Sequence, residues 1–241
     1  MLEAMLTAAG GPIIQTFPDS GPGSKSLIAG DEEIGYFGEV SSTALITYLG
    51  LKTHLGFSAG SVGPDVGWLK FIHKGVVKFL SKKACYWSVS WDALYAAGGV
   101  YGTNDLGKFP AAAAMNQYKP FVVPDGTKSC TLVPKLLSGA PNDPTGITAA
   151  DVTNYNSEFS DLLYRIVPGT HVNAGTFAQY TATDVDMQRV HAVIETDIGN
   201  TTYTLIRRNG GINANGTRLR KNDATGYGQY CRMVLVLESS V

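Results

Sequence analysis

Apolar positions along this chain change their spacing several times, and each change marks an element. Residues 1–30 show no regular spacing and are rich in Gly, Pro and Ser (GGPIIQTFPDSGPGSKS). They read as an extended arm, of the kind that stays unfolded or lies on a partner. IGYFGEV (34–40) then reads as a strand. SSTALITYLGLKTHLG (41–56) predicts a helix, with Ser41 or Ser42 as its cap, Leu45, Tyr48 and Leu49 as a stripe, and Gly56 as its end. GWLKFIHKGVVKFLSKK (67–83) predicts a β-hairpin about Lys74-Gly75, because apolar residues crowd both sides of a turn pair.

The next stretch, ACYWSVSWDALYAAGG (84–99), fits neither period throughout. Ser90 reads as an N-cap, Trp91, Leu94 and Tyr95 fall at helical spacing, and Gly98-Gly99 stops the turn. A strand end therefore runs into a short helix, with the aromatic rings packed inside the corner. Farther on, KSCTLVPKLLSG (128–139) is strand-like, with Pro134 marking an edge or a bulge. NSEFSDLLYRIVP (156–168) reads as a second short helix capped by Ser157, with Phe159, Leu162, Leu163 and Ile166 on one face and Pro168 as its stop. TTYTLIRR (201–208) and YCRMVLVLE (230–238) are strands, the last too continuously apolar to face water on either side and so central in a sheet. The sum is an α+β chain of short helices, hairpins and long loops: an arm at 1–30 and one module at 31–241.

Composition changes this picture in one respect. Charged residues make up 16% of the chain against roughly 25% in ordinary soluble domains, and glycine occurs 28 times. Few charges and much irregular backbone fit a surface covered by neighbours. The net charge of −1 leaves no footprint for a nucleic acid. Arg207, Arg208, Arg218, Arg220 and Lys221 surround NGGINANG and read as a solvated hairpin end instead of a phosphate site. No run of 18 apolar residues occurs, so no membrane span is expected, and the N-terminus lacks the basic and apolar regions of a signal peptide. The three cysteines, Cys85, Cys130 and Cys231, contain no metal-ligand spacing. Buried reduced thiols, one internal pair such as Cys85–Cys231 between neighbouring strands with one thiol left over, and a bridge to another subunit all fit.

Several motifs look chemical and fail in context. GFSAG (56–60) matches the nucleophile-elbow pattern, but a helix precedes Ser58 and a Gly/Pro loop follows, where a strand and then a helix are required. GTNDLGK (102–108) begins like a phosphate-binding loop, yet Phe109 replaces the metal-binding hydroxyl and Pro110 stands where the helix should open. His54, His73, His171 and His191 show no ligand spacing and read as satisfied or exposed histidines. Asp184 and Asp186 could share one side of a strand, but two carboxylates are too few for calcium. Neither a metal nor a cofactor is expected.

Four segments, GYFGEVSSTALIT (35–47), GWLKFIHKG with KFLSKK (67–83), SVSWDALYAAGGVYGTNDLG (88–107) and NSEFSDLLYRIVP (156–168), form an ordered set with LVPKLLSGAPNDP (132–144) and GYGQYCRMVLVLE (226–238). The set resembles a family of tailed-bacteriophage virion structural proteins, among them tail-fibre proteins, and its closing strand is similar to the last strand of C-type-lectin-like adhesin modules. The resemblance implies a C-type-lectin-like mixed domain and a virion location in tail, baseplate, neck or fibre. It also implies a non-enzymatic role as a homo-oligomer docked to other virion proteins, with a host-surface glycan or protein as a further partner. A capsid decoration or head fibre is the neighbouring reading, and a host-glycan hydrolase is the alternative of another class. Within that frame Trp68, Trp87, Trp91, Phe159 and Tyr164 define the core. Contacts with a partner fall on the loops 58–67, 102–117 and 139–151, where Tyr101, Asn104, Asp105, Asn142 and Asp143 are the candidate residues.

Overall fold

The computed structural model describes residues 15–108, 114–140, 157–169, 173–187, 191–196, 203–208, 211–212, 219–220 and 230–240. The predicted hairpin forms as β4 (Trp68–His73) and β5 (Val76–Ser81), joined by Lys74 (φ 54°) and Gly75 (φ 74°). Two successive left-handed residues give the turn whose twist matches that of the strands it joins. β1 (Ala29–Gly30) and β2 (Ile34–Val40) precede this hairpin; β7 (Phe121–Asp125), β8 (Lys128–Leu136) and β14 (Met233–Ser240) come later in the chain. They assemble into one antiparallel sheet in the order β1-β2-β4-β5-β14-β8-β7. The closing strand β14 is central between β5 and β8, as its apolar run predicts. Pro134 pairs with Leu235 on one side of β8, while β7 reaches only as far as Leu132 on the other. The missing N–H therefore lies where β8 has no second neighbour, as the sequence expects of an edge proline.

A second sheet is built from β3 (Ser61–Val62), β6 (Tyr86–Trp87), β9 (His191–Thr196), β10 (Tyr203–Arg208), β11 (Gly211–Ile212), β12 (Leu219–Arg220) and β13 (Tyr230–Cys231). Their order is β11-β10-β9-β13-β6-β3, with β12 also on β10. All pairs are antiparallel except β13 with β9. The described residues are thus α+β, with short helices and long loops.

The two-residue period of the strands sends side chains to opposite faces of the first sheet. One face carries Trp68, Phe79, Leu132 and Leu235 into a cluster shared with α1 (Tyr48–Leu55), α2 (Trp91–Ala96) and Tyr86, Ala192 and Cys231 of the second sheet. The other face carries Leu69, Phe71, Leu80 and Val234 against Phe159, Leu162, Leu163 and Ile166.

Four expectations are refined. Helix α1 starts at Tyr48, later than predicted: Thr47 is its cap, accepting from the Gly50 amide, and Ser42–Ala44 form a separate 3-10 turn. The Asp65 carboxylate explains the break, because it takes the Ser42 hydroxyl and the Tyr48 amide and holds the chain between them out of the helix. Leu49 is consequently exposed, and Leu51 and Leu55 face the core with Tyr48. Residues 159–163 form a π-helical turn followed by a 3-10 turn at 164–166, wound so that Phe159, Leu162, Leu163, Tyr164 and Ile166 are all buried. Asp184 and Asp186 lie on a turn and not on a strand: Asp184 closes the turn through Thr181, and Asp186 takes φ 49° and accepts from the Ala84 amide. Trp68, Trp91, Phe159 and Tyr164 are buried, whereas Trp87 is only half-buried, edge-on to Tyr230.

The described part of the arm lies on the chain's own first sheet. Phe17 packs edge-on against Phe37 at 5.4 Å, and Thr16 bridges Ser26, so residues 16–26 close a loop over the sheet.

Candidate functional site

The predicted aromatic corner exists, and it carries a loop. Ser90 caps α2 by accepting from the Ala93 amide, and Gly98 (φ 75°) ends the turn. Trp91 stacks on Tyr95 at 5.3 Å, and Tyr101 stands edge-on to both rings. Such ring pairs add about 0.5–1.5 kcal/mol each to the area they bury. The Tyr95 hydroxyl donates to the Leu106 carbonyl at 2.8 Å, tying the loop back to the helix that precedes it. Gly107 (φ 72°) lies so close to the Tyr101 ring that an added Cβ would come within 2.2 Å of it.

The candidate residues of this loop serve first to shape it. Asp105 accepts from the Thr103 hydroxyl at 2.6 Å and the Gly107 amide at 2.8 Å, and these two bonds hold its carboxyl below the usual range. Its own carbonyl receives the Gln117 amide, and Asn104 accepts from Asn116 at 3.0 Å. Gln117, fully buried, donates to the carbonyls of Tyr95 and Met115 and accepts from the Val100 amide. Tyr101, Asn104 and Asp105 are therefore brought together on one rigid loop whose outward surface includes Thr103, Asn104 and Leu106. Asn142 and Asp143 lie outside the described residues.

Two charged arrangements leave little trace in the sequence pattern. On the second face of the first sheet, Glu158 is buried and accepts from Lys78 Nζ and Lys135 Nζ at 2.6 Å each, and from the Ser138 amide at 2.8 Å. Burial alone would raise its pKa, but the two ammonium groups overcome that and hold it well below the usual carboxylate range. Lys78 also meets His73 Nδ1 at 3.0 Å, and His73 Nε2 meets Asp161 Oδ2 at 3.0 Å. An ammonium group has no acceptor, so Nδ1 accepts from Lys78, and the ring proton sits on Nε2, which donates to Asp161. On the opposite face Lys70 is fully buried beneath the arm, donating to the Ser20 hydroxyl and to the carbonyls of Gly21 and Ser24 at 2.7–2.9 Å. Its ammonium also lies 4.8 Å from the Phe37 ring and 5.7 Å from that of Phe79. The one signal for both is a lysine at the same offset inside two apolar strands, WLKFIH and VVKFLS. A lysine in a strand buried on both faces requires buried partners.

Cys85 and Cys231 do meet at the predicted strand pair, where the Cys85 amide donates to the Cys231 carbonyl at 2.9 Å. All three cysteines are free and buried, and burial pushes the Cys85 thiol up to about 12. His54 bonds the Lys119 carbonyl; His171 and the side chain of His191 lie outside the described residues. Ser58 follows α1 as the sequence requires, with no strand leading into it. Among the described residues no group of three or more His, Cys, Asp or Glu side chains could hold a metal ion, and no helix is long and apolar enough to cross a membrane.

No family model, curated protein or solved structure matches the chain.

Proposed function

We propose that this chain is a structural component of a tailed-bacteriophage virion, in the tail, baseplate, neck or fibre, and that it acts by docking through pre-shaped loops. The observation that carries the reading is the loop 101–107, clamped by the Tyr95–Leu106 hydrogen bond, the Tyr101 ring and the two bonds that Asp105 Oδ1 accepts from Thr103 and Gly107. A loop already ordered loses little conformational freedom on binding, so its contact energy goes into affinity. The segments that resemble phage structural proteins support the same reading, since they supply β2, the β4–β5 hairpin, the α2 corner, β8 and β14, the frame that carries this loop. The C-type-lectin-like part of the proposal rests on a closing strand that is central in its sheet and on short helices beside long loops. In that setting the chain works as a homo-oligomer among other virion proteins, and a host-surface glycan or protein is the further partner.

Mass spectrometry of purified particles of the phage that encodes the chain tests the location. Stoichiometric recovery of the chain is expected, together with reduced incorporation of a Leu106→Asp variant that retains its near-UV circular dichroism. Particles that assemble and infect without the chain would overturn the proposal.

A further inference from the structure

The first sheet forks at one end. β5 and β14 pair through Leu80–Val234, Phe79–Leu235 and Lys78–Val236, and there the ladder stops. Beyond that point β5 continues on β4 as far as Val76, while β14 continues on β8 as far as Ser240, past an irregularity between Leu237 and Ser239. The diverging limbs leave an open cleft of about 540 Å³, whose walls are Gly75–Val77, Leu237–Ser240 and the arm residues Thr16–Ser20. Among the described residues no strand pairs with either limb on the side that faces the cleft. Each limb therefore turns backbone N–H and C=O groups toward the gap, and such groups form a template for an added strand. The free stretch of β14 is about 14 Å long at roughly 3.4 Å per residue, enough to pair with about four residues.

The lining also states what kind of strand it suits. Asp19 and Glu238 are its charged residues, and no lysine or arginine lines it. Glu238 accepts the Tyr118 hydroxyl at 2.6 Å, and Asp19 pairs with Lys128, which sits at the β7–β8 turn outside the lining. Val76, 38% exposed, adds an apolar contact on the β5 limb. We propose that this fork is a docking site for an extended segment of a partner protein that carries basic side chains and adds to the free edge of β14. The mode is β-augmentation: main-chain bonds supply affinity, and alternate side chains meet the acidic and apolar walls. The inference deepens the docking function without depending on a virion location, so particle composition and peptide binding can fail separately.

The test uses the full chain and two capped hexapeptides, one alternating lysine with valine and one alternating glutamate with valine. Hydrogen exchange is followed at the amides of Leu237–Ser240. The lysine peptide is expected to slow exchange there about tenfold at saturation, leaving the amides of 132–136 unchanged, and the glutamate peptide is expected to do nothing. Glu238→Gln should weaken the lysine peptide several-fold, and Glu238→Lys should reverse the preference. The proposal is overturned by protection that is absent, or that is equal for both peptides. Protection that appears without peptide as the protein concentration rises also overturns it, because the occupant would then be a second copy of the chain.

Discussion

Lys70 and Lys78 occupy paired strands of one sheet, on opposite faces, and both are buried, yet they solve the same electrostatic problem differently. Lys78 has a full counter-charge, the Glu158 carboxylate at 2.6 Å, shared with Lys135. Lys70 has neutral acceptors from Ser20, Gly21 and Ser24, and two aromatic faces. Burial, with the charge of Lys25 added to it, therefore pushes the Lys70 amine down to about 7. The Lys78 partners are Glu158, at the start of the buried π-helical turn, and His73 of the neighbouring strand β4, and neither can leave without unfolding the core. The Lys70 partners belong to the arm, which rests on the sheet from outside. One lysine is built into the core, and the other is a clasp.

The largest expected effect breaks the core side of this comparison. Glu158→Gln leaves Lys78 and Lys135 buried without a counter-charge, and chemical denaturation should show a loss of about 3–5 kcal/mol. Lys70→Met removes the clasp and leaves three acceptors to the arm. The expected cost is about 1–3 kcal/mol, accompanied by faster proteolysis within residues 16–26. Equal losses for the two variants would mean that the counter-charge is not what separates the lysines.

The pH dependence sharpens the contrast. The unfolded chain keeps its proton on Lys70 up to the ordinary value near 10.5, while the folded chain keeps it only to about 7. Between these values the unfolded state binds more protons, so stability should rise with pH by up to about 1.4 kcal/mol per unit. Lys70→Met should flatten that rise. Glu158 acts at the other end: its folded pKa is depressed, so its contribution is present at neutral pH and is lost as pH falls below the usual carboxylate range. The smallest effect is expected from Lys25→Met, which removes a half-exposed ion pair with Asp125, worth about 0–1 kcal/mol. Because Lys25 helps to depress Lys70, the same variant should move the lower edge of the pH window upward, a shift that denaturation at successive pH values would detect.

Elements governed by near neighbours in the chain are legible in the order of its residues. The Lys74-Gly75 hairpin, the Ser90 cap with the Trp91–Tyr95 pair, and the central closing strand all follow from local turn chemistry and apolar spacing. The start of α1 is not legible in this way, because Asp65, seventeen positions from Tyr48, decides it. The candidate loop is legible as a loop; its shaping is not, since Asp105 Oδ1 accepts from both Thr103 and Gly107, and Tyr95 reaches across to Leu106. Trp87 reads as core from its company, but the second sheet leaves it only half-covered.

By itself the amino-acid order determined the Lys74-Gly75 hairpin, the Ser90-capped helix and the apolar closing strand, because those depend on spacing and on caps within a few positions. Only the tertiary structure decided that Glu158 meets two lysines from separate strands, that the arm folds back over Lys70, and that β5 and β14 part company after Val236. Those outcomes depend on strand order and on where a ladder ends, which join residues far apart in the chain and leave no periodic trace in it.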